Sequence, residues 1–144
     1  MDAPDPQFAR RLERGVLAMP LAAELGLAFR KIEAGAVELE IPYREQLSFR
    51  PGQMQATAIF AAADFAAVAA AGTMLPPGWV NATIDCALKI VGPADGEKLV
   101  ARGRLVSAGK LLSVAGAEVW SVREGRETLC ATALATARNI PPSA

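Results

Sequence analysis

The longest apolar stretch of the chain, Gln55 to Ala71, reads QATAIFAAADFAAVAAA, and Asp64 is its only ionisable residue. No polar stripe breaks this run, which predicts a helix enclosed on all sides, roughly from Gln53 to Gly72. Pro76-Pro77-Gly78 stops the chain beyond it. Upstream, Phe8, Leu12, Val16 and Met19 recur at helical spacing, with Asp5 placed as the cap and Pro6 at the first helical position. Pro20 interrupts this helix, Leu21 to Leu25 forms a further turn, and Gly26 ends an N-terminal helical segment covering residues 1–25. Leu27 to Glu33 and Ala36 to Pro42 then read as a hairpin around Ala34-Gly35. Val37, Leu39 and Ile41 alternate there with Glu38 and Glu40, which leaves one face wet. Tyr43 to Gly52 reads as loop.

Strand-like runs follow the long helix. In Val80 to Val91 the residues Val80, Ala82, Ile84, Cys86, Leu88 and Ile90 fall on one face, with Asn81, Thr83, Asp85 and Lys89 on the other. Glu97 to Ala108, Leu111 to Val122 and Glu127 to Arg138 follow, joined by short turns at Gly109-Lys110 and Arg123 to Arg126, and residues 139–144 read as a tail. Two strands therefore precede the central helix and four follow it. Hairpin-length connections demand an antiparallel sheet, and a helix without a wet face demands enclosure. An α+β domain over 1–144, with a curved antiparallel sheet of about six strands wrapped around one long helix, meets both demands. The many alanines of the helix let it approach a neighbour closely, whether that is the sheet, a second copy, or both.

Composition narrows the chemistry. The 144 residues, 52% hydrophobic, suit one globular domain with a real core. The 15 basic and 15 acidic side chains cancel, and Arg10, Arg11 and Arg14 are broken by Glu13, so nothing points to nucleic acid. The N-terminus has no basic start leading into an apolar core, Asp64 splits the alanine-rich run, and Cys86 and Cys130 are far apart. These features predict a cytoplasmic protein with neither a secretion signal nor a membrane span. The absence of histidine removes Ser-His and Cys-His nucleophiles, and with two separated cysteines makes a zinc site an unfavourable reading. A lone desolvated aspartate is costly, so Asp64 is expected to serve a partner or a reaction.

The run Pro51-Gly52-Gln53-Met54-Gln55-Ala56-Thr57, followed nine residues after Gln55 by Asp64, resembles the PaaI-type acyl-CoA thioesterases, and the element order resembles their hot-dog fold. Thr83-Ile84-Asp85 and Ser107-Ala108-Gly109-Lys110 extend the likeness, which covers about Gly26 to Thr136. The resemblance implies that Asp64 is the catalytic acidic residue, that Thr83 orients water, and that Gly109 and Lys110 form the turn near the CoA phosphates. It implies no metal or redox cofactor, CoA being part of the substrate. The alanine-rich helix and the prevalence of symmetric oligomers among small domains point to a homodimer, with a homotetramer as the alternative. Gln55 stands where these proteins usually have histidine, Ala56 and Thr57 where they have two glycines, and Phe49 where they have an asparagine before the loop glycine, Gly52. Those departures keep a non-catalytic acyl-CoA-binding protein as an alternative, and a purely structural dimer as a third reading.

Thioester hydrolysis needs donors for a developing oxyanion, and the N–H groups of Ala56 and Thr57 at the helix start are candidates. Gln55 either orients the carbonyl or simply caps the helix. Nine helical steps place Gln55 and Asp64 about 180° apart and about 13 Å along the axis, so both reach one carbonyl only across a two-fold axis. The spacing thus predicts a composite site between two copies. Asp64 would act as nucleophile or as general base. Thr83 falls on the polar face of its strand, expected to meet the second subunit's helix, although strand filler suits a β-branched residue equally. Met54, Phe60 and Phe65 would limit an acyl tunnel beside the helix or fill the core. Trp79 and Trp120 are expected to pack the sheet.

Overall fold

The computed structural model describes residues 7–143. The Asp5-Pro6 cap therefore lies outside the described residues. Helix α1 spans Phe8–Leu17 and α2 spans Pro20–Leu25, with the break set by Pro20. Gly26 caps α2 at φ 66°, the left-handed conformation that glycine adopts without steric cost. β1 (Ala28–Glu33) and β2 (Ala36–Pro42) form the first hairpin. The segment read as loop is more ordered than its composition suggests. A 3₁₀ turn at Glu45–Leu47 leads into a small hairpin of β3 (Ser48–Arg50) and β4 (Gln53–Met54). The long helix α3 accordingly starts later than its apolar run implies and spans Ala56–Gly72. Gln53 and Met54 are diverted into β4, where the Met54 N–H donates to the Ala94 carbonyl at 3.0 Å.

β5 (Val80–Ile90), β6 (Lys98–Ala108), β7 (Leu112–Arg123) and β8 (Arg126–Ile140) complete the domain. β8 runs two residues past Arg138, so Asn139 and Ile140 pair with Asn81 and Val80 instead of belonging to the tail. The main sheet has six strands in the order β1-β2-β6-β7-β8-β5, antiparallel throughout. It folds around α3, which packs on β2, β6, β7, β8 and β5.

The close approach foreseen for the alanines is to the sheet itself. Ala62, Ala63, Ala66, Ala67 and Ala70 are buried on α3, and Ala101, Ala115, Ala117, Ala133, Ala135 and Ala137 are buried on the strands facing it. Small residues on both sides bring helix backbone against sheet backbone at interior density. At Gly103 on β6 the approach is tightest, since a Cβ there would overlap the Ala66 carbonyl. The outer face of the sheet is charged: Arg102 bridges Glu38 at 3.0 Å and Glu127 at 2.6 Å, with its guanidinium 5.8 Å from the centroid of the Trp120 ring. Among the described residues, no helix is long and apolar enough to cross a membrane.

Candidate active site

The strict alternation expected for β5 fails at one position, and that failure builds the site. The register with β8 jumps from Thr83 opposite Ala137 to Asp85 opposite Thr136, so Ile84 is the extra residue of a β-bulge. Before the bulge Asn81 and Thr83 turn toward α3; after it Cys86 and Leu88 do, both packing against the core. Ile84 and Val80 are left outside, 55% and 59% exposed. The single apolar face read over Val80 to Ile90 is therefore split in two. Thr83 correspondingly meets the helix of its own subunit.

Asp64 sits midway along α3, half-buried among alanines. Its Oδ1 accepts a hydrogen bond from Thr83 Oγ1 at 2.8 Å. Burial pushes its pKa above the ordinary aspartate value, and the Thr83 hydroxyl pulls the other way. The Cys86 thiol is raised in turn by burial and by the charges of Asp64 and Asp85. The site thus holds a carboxylate whose basicity is lifted above that of a surface aspartate, oriented by one hydroxyl, with a thiol beside it. Such a group can take a proton from water or attack an electrophilic carbon.

The helix start lies elsewhere on the same element. Gln55 is the N-cap residue of α3, in extended conformation at φ −63° and ψ 145°, and its side chain makes no capping hydrogen bond. Its backbone N–H is held by the Leu47 carbonyl at 2.7 Å, which ties the helix start to the 3₁₀ turn. Ala56 and Thr57 follow, exposed, as the first two helical residues, whose N–H groups helix geometry leaves without intrahelical partners. Within one chain, then, Asp64 and Thr83 are brought together, whereas Gln55, Ala56 and Thr57 stand about two helical turns or more away.

The remaining candidates scatter. Gly52 forms the β3–β4 turn, its N–H donating to the Tyr43 hydroxyl at 2.8 Å. Phe49 is 58% exposed, with the Arg50 guanidinium 5.5 Å from its ring centroid. Phe60 is 38% exposed one turn before Asp64, on the same side of α3. Met54, by contrast, is 2% exposed and belongs to the core, and Phe65 packs partly against that core. Gly109 and Lys110 form the β6–β7 turn. Asn139, a tail residue by sequence alone, secures that turn by donating from Nδ2 to the Gly109 carbonyl at 2.9 Å and accepting at Oδ1 from Ser113 Oγ at 3.2 Å. Cys86 packs against the core as its place on the apolar face implies, while Asn81, placed only on the polar face by alternation, turns in beside Thr83 to hold the Val68 carbonyl. Trp79, expected to pack the sheet, precedes β5 and lines a cleft beside α1. Among the described residues, no group of three or more Asp, Glu or Cys side chains could hold a metal ion.

No protein-family model and no curated protein sequence matches the chain. Solved structures do. A thioesterase family protein from Silicibacter pomeroyi is 28% identical with a TM-score of 0.89, over 93% of this chain and 98% of that one. A phenylacetic acid degradation-related protein from Ralstonia eutropha is 28% identical with a TM-score of 0.75, over 91% and 98%. The E. coli PaaI protein, 17% identical, shares the fold with a TM-score of 0.81 over 95% and 96%. The helix-in-sheet architecture and these likenesses identify the chain's fold as the hot-dog fold of the thioesterase superfamily.

Proposed function

We propose that this protein is an acyl-CoA thioesterase in which Asp64 is the reacting carboxylate. The observation that carries the reading is the Asp64–Thr83 pair: a lone carboxylate, lifted in pKa by burial and held at 2.8 Å by a hydroxyl, on a helix otherwise apolar. As general base, Asp64 takes a proton from water while the hydroxide adds to the thioester carbon; collapse breaks the C–S bond, and the thiolate recovers the proton as CoA thiol. As nucleophile, it adds to the thioester carbon and expels CoA thiolate to leave a mixed anhydride; one water then hydrolyses the anhydride, releasing the acid, restoring the Asp64 carboxylate and supplying the proton that the thiolate takes up. Either route needs an oxyanion site, and the exposed Ala56 and Thr57 N–H groups at the positive end of α3 supply one.

The oxyanion donors and Asp64 meet only if two copies share a site, and the edges of the sheet support such pairing. β5 is an edge strand, bonded on one side to β8. Over 11 residues it exposes Val80, Ile84 and Ile90 and the two charges Asp85 and Lys89, whereas the opposite edge, β1, carries Arg30, Lys31 and Glu33 within 6 residues. Charged edges resist strand addition; long apolar ones invite it. Pairing β5 with its copy also turns the α3 stripe of exposed Thr57 and Phe60 and half-buried Asp64 toward the partner. Lys110 and its turn are assigned to the CoA phosphates, with Phe49 and Gly52 beside the thioester.

A panel of acyl-CoAs read with a thiol-detecting reagent tests the reading. Turnover is expected for the native chain, and Asp64→Asn should lose it by roughly 10²-fold or more while keeping the fold. Because Gln55 offers no titratable group at the helix start, a non-catalytic acyl-CoA binder remains the second reading. Saturable binding without turnover by the native chain would replace the enzyme with that alternative.

A further inference from the structure

The first turn of α3 carries the candidate oxyanion donors, yet packing does not hold it. Gln55, Ala56 and Thr57 are exposed, and no side chain caps the helix. Burial begins only at Ala58 and Ile59. The place of this turn therefore rests on the segment that leads into it, and three hydrogen bonds tie that segment down. The Gln55 N–H donates to the Leu47 carbonyl at 2.7 Å, and the Met54 N–H to the Ala94 carbonyl at 3.0 Å. The Gly52 N–H donates to the Tyr43 hydroxyl at 2.8 Å, the only one of the three made to a side chain. Turn chemistry explains that bond. Pro51 and Gly52 are the central residues of the β3–β4 turn, with Gly52 at φ 84°. Proline followed by a left-handed glycine is the type II pattern, in which the glycine N–H has no partner inside the turn. Tyr43 takes up that donor. Tyr43 is itself mounted on the main sheet: it follows β2, its own N–H donates to the Glu97 carbonyl at 2.8 Å, and its ring packs partly against the core.

We propose that Tyr43 is a positioning residue for the oxyanion site, an inference that rests on the thioesterase reading. A chain of contacts runs from the sheet through the Tyr43 hydroxyl to the β3–β4 hairpin, and from the hairpin through β4 to Ala56. Only Gln53, Met54 and Gln55 separate Gly52 from Ala56, so a shift of the turn is passed on to the first N–H groups of α3. Donors to an oxyanion serve only while they are held within about 0.5 Å of their productive place. Tyr43 touches no reacting atom; it acts through Gly52 on the donors. The hydroxyl is the part that matters, because a phenyl ring fills the same space against the core without accepting a hydrogen bond.

Tyr43→Phe removes the hydroxyl and keeps the ring, and water reaches the exposed Gly52 N–H that it frees, so folding is retained. Its kcat is expected to fall by roughly threefold to tenfold, with KM changed by less than about twofold. A second background separates positioning from general loosening. Ala56→Pro removes one donor N–H at a helix position that accepts proline. There Tyr43→Phe should cost less than about twofold, whereas beside Thr83→Val it should keep its full effect. An unchanged kcat, or the same loss in both backgrounds, would overturn the assignment while leaving thioester hydrolysis intact. Hydrogen–deuterium exchange supplies a readout that needs no turnover. In Tyr43→Phe the Met54 and Gln55 amides should exchange roughly tenfold faster, with the amides in the middle of α3 unchanged. If the native chain hydrolyses no acyl-CoA, the thioesterase reading fails, and the exchange still decides whether Tyr43 holds the start of α3. Unchanged Met54 and Gln55 rates sink the assignment with or without turnover.

Discussion

At Asp64 two effects of opposite sign meet on one carboxylate. Burial disfavours the charged form, and the Thr83 hydroxyl favours it by donating to Oδ1. Activity by either route requires the carboxylate, so kcat/KM should fall as acid protonates it, with a limb above the usual aspartate range. Thr83→Val removes the one influence that lowers the pKa. The acid limb should therefore move to higher pH, with activity at its plateau affected less than activity below it; a pH–rate profile from about pH 4 to pH 8 checks this. An unmoved limb would mean that Thr83 serves only to fill space. Cys86, the other titratable group facing Asp64, is raised in pKa and stays neutral through this range, so it does not supply the limb. Asp64 was legible because a single charge in an apolar run has no inexpensive place to go. Its contact with Thr83 inside one subunit was not legible, because alternation assigns faces only while the register holds, and the extra residue Ile84 breaks it.

Periodicity and turn chemistry located every long element, and the errors fall where backbone pairing overrides side-chain pattern. Gln53 and Met54 continue the apolar approach to α3 yet fold into β4, because the Met54 N–H finds the Ala94 carbonyl some forty residues later in the chain. Asn139 and Ile140 fall in the segment that reads as a tail, but the strand partners Asn81 and Val80 hold them in β8. The enclosure of α3 was readable, and so was its approach to the sheet as one of the alternatives; the point of closest contact was not. Gly103 lies on β6 with the Ala66 carbonyl where its side chain would be. Gly103→Ala must push helix backbone away from sheet backbone, and neither can yield alone within a packed layer. The expected loss is about 2–4 kcal/mol by denaturant unfolding. Because α3 carries Asp64, activity at a temperature where the variant stays folded should fall as well.

For the whole molecule the question is how many chains one site contains. Asp64 and the α3 start are separated by a distance fixed by helix geometry, which no side-chain movement closes within a subunit. Ala56→Pro tests the pairing cleanly. Proline is accepted at the first position of a helix and removes its N–H. The extended conformation of Gln55, at ψ 145°, is also the one that a residue before proline prefers. Ala56→Pro should then lower kcat by roughly 10²-fold through loss of an oxyanion donor, without unfolding α3. Alone, Ala56→Pro and Asp64→Asn chains should both be nearly inactive. Unfolded together and refolded as an equal mixture, they form mixed dimers in which one site has both defects and the other has neither. Random pairing makes half of the dimers mixed, so about a quarter of native activity should return if each site takes its carboxylate from one copy and its donors from the other. Sites built within single subunits would regain nothing on mixing, because every site would still carry one of the two lesions.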